Sequence, residues 1–143
     1  MWFTACRHAP RQEFYEFETT LDAKVAARDV AAVDALLDAN FEARRGAMPG
    51  VPIPRDQWLR DAATARAPAK IGQIAVHDFG SVAVVSFMQM DGGPQSSTAL
   101  KERMIVDCWT RSGDRWLLTV RYEGAPAPAR PPSRGDKRPS GRQ

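Results

Sequence analysis

Asp107 stands in the run Val106-Asp107-Cys108-Trp109, an acid among apolar neighbours. A carboxyl buried beside Ile105, Val106 and Trp109 loses hydration, and desolvation raises its pKa by disfavouring the charged form. Kept neutral, it can donate a hydrogen bond to a developing oxyanion. The plainer alternative is an ion pair. Arg121, Arg44 and Arg45 are the cations that could reach such an acid, and a paired buried carboxylate is ordinary structure. The pair carries more weight, so Asp107 is an anchor first and a catalytic candidate second. His77 precedes Asp78 at a turn and reads as an exposed strand-end residue, not a general base. Asn40 reads as the cap of a helix end. Cys6 and His8 lie two apart with no further cluster, which is too little for a metal site. Neither a metal nor a cofactor is expected.

The elements that must position these residues follow from spacing. Phe14, Phe17, Leu21 and Val25 form one apolar stripe of a helix starting at Glu13, with Glu16, Glu18, Asp22 and Lys24 mostly off it. Asp29 caps a second helix carrying Val30, Val33, Leu36 and Leu37, which ends near Asp38-Ala39-Asn40. Phe41 to Ala47 reads as a short strand. Met48 to Pro54 cannot be helix interior, because its prolines lack donors, but Pro54 can open a third helix bearing Trp58, Leu59 and Ala62. After residue 70 the period becomes that of strands. Ile74 and Val76 lie in the first, Val82 to Met90 form the second, about Leu100 to Arg111 the third, and Arg115 to Tyr122 the fourth. Gly113 supplies positive φ to the last hairpin turn. Helices first and strands after give an α+β fold, with helices on one face of a curved, mostly antiparallel sheet.

The chain has 143 residues, 43% hydrophobic and 26% charged, enough for one domain with a real core. Residues 1–12 read as a loose leader and 13–124 as the domain. Residues 125–143 read as a disordered, proline-rich basic tail. That tail holds a net charge of +4, which leaves the other 124 residues at −1 although the whole chain is +3. The basicity therefore belongs to a terminus without aromatic residues, and no specific nucleic-acid partner is expected. The apolar run Val82-Ala83-Val84-Val85 is too short to span a bilayer, and Met1-Trp2-Phe3 opens no signal pattern. No membrane partner is expected, and the expected location is the cytoplasm. Arginine outnumbers lysine 16 to 4, a usage typical of a GC-rich bacterial genome.

Several phrases, in this order, resemble the SnoaL-like, nuclear-transport-factor-2-like superfamily. They are Ala27-Arg28-Asp29-Val30, Pro54-Arg55-Asp56-Gln57-Trp58-Leu59, Val76 to Val85, Val106 to Arg111, and Gly113 to Leu118. The match covers about residues 13–123 and is nearest to the subgroup known only as a domain of unknown function. The resemblance implies a cone-shaped fold with a pocket between helices and sheet, and dimerisation through the sheet. It also aligns Asp107 with the aspartate that donates to the oxyanion in ketosteroid isomerases. The isomerase base, however, falls near Arg44-Arg45 and its tyrosine near Thr20-Leu21. Arginine does not deprotonate at neutral pH, so steroid-isomerase chemistry is not expected.

In a cone, core and pocket wall are one surface, so Trp58, Trp109 and Trp116 can serve as both. The leading expectation is a module that binds a small, largely apolar molecule, with Asp107, Trp109, Arg121, Arg44, Arg45 and Trp58 as ligand-binding residues. One alternative is a lyase or isomerase that uses Asp107 as acid or oxyanion donor. The other is a homodimeric assembly domain whose cone is filled by Trp58, Trp109, Phe17 and Phe41. Val82 to Met90 is apolar on both faces, which by itself points to a homodimer through the outer face.

Overall fold

The computed structural model describes residues 10–62, 66–91 and 101–128. Cys6 and His8 in the expected leader, the turn after Asp91, and the expected tail from residue 129 onward lie outside the described residues. The chain forms α1 (Pro10–Ala26), α2 (Val30–Leu36), β1 (Leu37–Arg45), β2 (Met48–Pro54) and α3 (Arg55–Ala62). There follow β3 (Lys70–Asp78), β4 (Val82–Met90), β5 (Lys101–Ser112), β6 (Arg115–Glu123) and the short β7 (Ala127–Pro128). β7 pairs Lys101 and Glu102 of β5, so the first residues of the expected tail are ordered against the sheet.

The buried face of α1 carries Phe14, Glu18, Leu21, Asp22, Val25 and Ala26. Glu18 and Asp22 are one helical turn apart and share that face with Phe14 and Leu21. This corrects the expectation that they lie mostly off the apolar stripe. Phe17 is only half-buried, at the edge of the face. Asp29 caps α2 as expected, its Oδ1 accepting the Ala32 N–H at 3.2 Å. α2 stops at Leu36 because Leu37 takes extended backbone, with φ −96° and ψ 140°. Asn40 therefore lies in β1 and caps no helix end. The proline-rich segment becomes β2 at one edge of the sheet, where missing donors cost least. Pro54 closes β2, and α3 begins one residue later at Arg55.

Six strands make one open sheet in the order β2-β1-β6-β5-β4-β3. All neighbours are antiparallel except β1 and β6, which run parallel. β4 alternates strictly, with Ala83, Val85, Phe87 and Gln89 buried on the inner face. β5 does the same with Ile105, Asp107 and Trp109. On β6 the register shifts opposite Cys108 and Trp109. This irregularity lets Leu118 and Arg121, three positions apart, both be buried. The helices cover the inner face, and side chains from α1, α2, α3 and β1 to β6 form one core around Trp109, Phe14, Phe87 and Ile105. Two glycines serve turns at positive φ. Gly113 (φ 65°) joins β5 to β6, and Gly80 (φ 92°) joins β3 to β4.

Candidate functional site

Asp107 and Arg121 face each other across the β5–β6 ladder, where they are direct register partners. The Arg121 Nε donates to Asp107 Oδ1 at 2.9 Å and its Nη2 donates to Oδ2 at 2.7 Å. This is a two-point guanidinium–carboxylate fork, the strongest common form of the pair. Asp107 is fully buried and Arg121 only 5% exposed. Burial works against the charge on Arg121, but Asp107, with smaller help from Glu18 and Glu123, outweighs it and holds the guanidinium firmly protonated.

Glu18 completes the cluster from α1. Its Oε1 accepts the Trp109 Nε1–H at 2.8 Å, and its Oε2 lies 3.5 Å from Arg121 Nη2. Burial, then the charge of Asp107, push the Glu18 carboxyl well above its ordinary value of 4.5; Arg121 and the Trp109 N–H pull more weakly the other way. Glu18 is thus the acid of this cluster that burial pushes toward its neutral form. Asp107 instead has both oxygens engaged by Arg121.

A second chain of polar contacts runs beside the first. Trp58 Nε1 donates to Glu123 Oε1 at 3.0 Å, and Arg103 Nη1 donates to Glu123 Oε2 at 3.4 Å. Arg103 Nε donates to Gln89 Oε1 at 2.9 Å, and Gln89 Nε2 donates to Asp22 Oδ1 at 2.9 Å. Asp22 also takes the Arg66 guanidinium and the Ala69 N–H. The two chains meet where the Arg121 guanidinium carbon stands 5.8 Å from the centre of the Trp58 ring. Among the described residues every buried polar side-chain atom has a hydrogen-bond partner. Nor do the described residues contain a group of three or more His, Cys, Asp or Glu placed to hold a metal ion.

A cleft of about 280 Å³ opens onto this second chain. Four arginines line it, Arg45, Arg66, Arg103 and Arg121, together with Trp58, Asp61 and Glu123. Elsewhere aromatic side chains among the described residues pack closely. Trp109 is fully buried, and Phe14 packs edge-on against Phe17 and Trp116 with ring centres 5.4 and 5.2 Å away. Phe41 packs edge-on against Trp58 at 5.1 Å.

Of the residues expected at a site, Asp107, Arg121 and Trp109 meet in one cluster, and Trp58 and Arg45 join Arg121 along the cleft. Neither Arg44 nor Arg45 reaches Asp107. Arg44 bonds Glu42 and the Pro49 carbonyl, and Arg45 pairs loosely with Asp61 at 3.8 Å. Trp116 is half-buried, with Arg111 over its ring at 5.5 Å. His77 is exposed at the sheet edge. Sequence reasoning missed Glu18, Asp22, Gln89, Arg103 and Glu123. A usable signal existed for two classes of them: Glu18 and Asp22 continue the α1 stripe from Phe14, and Gln89 continues the alternation Ala83, Val85, Phe87.

No family model matches the chain, and no curated protein matches it. Solved structures do. The association domain of C. elegans CaMKII superposes with a TM-score of 0.71 at 14% identity, over 82% of this chain and 96% of that one. An NTF2-like protein from Cytophaga hutchinsonii gives 0.69 at 14% identity, over 80% and 97%. The S. rosetta CaMKII hub gives 0.65 at 20% identity, over 83% and 98%. At these identities the likeness is one of fold. Three helices against an open, curved, mostly antiparallel sheet give this chain the α+β cone fold of the nuclear-transport-factor-2-like proteins.

Proposed function

We propose that this protein is a binding module that holds a small molecule by its polar end in the arginine-lined cleft. One observation carries the reading: Arg121 is locked by Asp107 and Glu18 from behind while it lines the cleft beside the Trp58 ring. A side chain fixed in this way pays little ordering entropy when a ligand arrives. The expected ligand was largely apolar. The cleft lining argues for a guest that is small and polar-headed, with Trp58, Val25 and Ala62 offering it apolar contact among the described residues. The enzymatic alternative has less support, because Asp107 already gives both oxygens to Arg121. A fragment screen read by NMR tests the proposal. Hits should shift the Trp58 Nε1–H signal and leave that of Trp109 in place; hits that map elsewhere would overturn it.

A homodimer is the second reading, and it is compatible with the first. Val84 and Met88 are half-buried on the outer sheet face, and Met104 and Tyr122 are 51% and 43% exposed there. Such a face suits a two-fold contact with a second copy. The hub-type neighbours favour assembly as well. Light scattering at micromolar concentration should give twice the chain mass, and Tyr122→Glu should halve it. A monomeric wild-type protein would remove this reading.

A further inference from the structure

We propose that the cleft takes a small organic monoanion, such as a carboxylate, and that Glu18 must be protonated for it to do so. This rests on the cleft being a binding site.

Among the described residues the charges around the cleft are matched one to one. Arg45 faces Asp61, Arg66 faces Asp22, Arg103 faces Glu123 and Arg121 faces Asp107. With Glu18 neutral, the group sums to zero. The arginines nevertheless keep unused donors. Arg121 employs Nε and Nη2, and Arg103 employs Nε and Nη1; among the described residues Nη1 of the first and Nη2 of the second make no hydrogen bond. Both side chains line the cleft from adjacent strands. Two guanidinium donors beside an aromatic ring suit a carboxylate that carries an apolar or aromatic body.

Glu18 decides whether that anion is welcome. It lies behind Arg121, 1% exposed and 3.5 Å from Nη2. The charged or titratable groups around it are Asp107 on β5, Arg121 on β6 and Asp22 one turn along α1. Were Glu18 ionised, Arg121 would face two carboxylates and the group would carry −1 before any guest entered. A monoanion would then add like charge in a poorly hydrated space. A proton on Glu18 removes the conflict, and by reciprocity the bound anion holds that proton more tightly. The high proton affinity that burial and Asp107 already give Glu18 agrees with this.

Benzoate is a suitable probe, because it stays ionised from pH 5.5 to 10, and benzamide is its uncharged control. Titration calorimetry should show benzoate binding at pH 6, with benzamide at least tenfold weaker. Benzoate affinity should then fall with rising pH, by up to about tenfold per unit where Glu18 loses its proton. Glu18→Gln should bind benzoate with a flat profile over the same range. Equal binding of the two probes would overturn the anion proposal and leave the cleft as a site. A flat wild-type profile, or a Gln variant as pH-dependent as the wild type, would overturn the role of Glu18. Absence of benzoate binding at every pH would overturn the anion site; the fragment screen then decides separately whether the cleft binds anything. If the variant fails to fold, carboxyl carbon NMR of the wild type serves instead. The Glu18 signal should titrate at higher pH with benzoate bound, and an unmoved titration overturns the coupling.

Discussion

The interior has two ends that are built on opposite principles. Where β5 and β6 meet at their hairpin, Phe14, Phe17, Trp109 and Trp116 pack ring against ring. At the other end of the same strands, Arg103, Arg121 and Glu123 join Asp22, Gln89 and Arg66, and a cleft remains. Glu18 links the two, touching Trp109 on one side and Arg121 on the other. The difference teaches where exchange with solvent solutes can occur. Close-packed rings gain from dispersion and area burial and leave no room for a guest. Paired charges gain less from burial, because desolvation opposes them, but they keep unused donors. The aromatic end suits stability, and on the proposed reading the charged end supplies selectivity.

Substitutions can break that contrast, and the aromatic end should respond most. Trp109→Ala should cost about 3–5 kcal/mol in denaturant unfolding, since it removes the largest fully buried side chain. A loss below about 1 kcal/mol would show that the end is loosely packed. Asp107→Ala should follow closely, at about 3 kcal/mol or more, because it strands the buried Arg121 charge. The double variant Asp107→Leu with Arg121→Met should recover much of that loss; failure to recover would mean the pair contributes beyond mutual neutralisation. Trp116→Ala should cost only about 1–3 kcal/mol, because this ring is half-buried.

Glu18→Gln should have little effect on stability at pH 4.5 and should become stabilising as pH rises. The sign follows from linkage. The Glu18 pKa is raised in the folded protein above its ordinary 4.5, so the stability it contributes is complete below 4.5 and is lost as pH rises through the folded value. Glutamine has no proton to lose. The gap between variant and wild type should therefore widen with pH, and a constant gap would remove the neutral carboxyl. Arg66→Ala should have the smallest effect, under about 1 kcal/mol, since its side chain is 37% exposed. A larger cost would mean that Asp22 depends on it more than on Gln89 and the Ala69 N–H.

Much of the architecture was legible in the sequence. The α1 stripe, the Asp29 cap, the Gly113 turn and strands β3 to β6 each rest on local chemistry that reads the same in any context. β2 was not legible, because three prolines in a strand make sense only at a sheet edge, and edges are a property of the whole fold. The site was half legible for a related reason. Spacing puts Glu18 and Asp22 in line with Phe14, but their charge has no reason to be buried until Arg121, Trp109 and Arg66, each more than forty positions away, supply their partners. The burial of both Leu118 and Arg121 depends on a register shift in β6 that no alternation pattern contains.

The parallel pairing of β1 with β6 has a consequence for synthesis. Ala43 meets Arg121 across a span of about 80 residues, and long-range pairing of this kind is slow to form. During translation the ribosome releases α1, α2 and β1 long before β6. Until β6 emerges, β1 has only the proline-bearing β2 beside it, and Glu18 and Phe14 lack the strands that bury them. The nascent amino-terminal half must therefore wait, with apolar surface open, for the last long strand. That interval is when a holding chaperone has most to offer this chain.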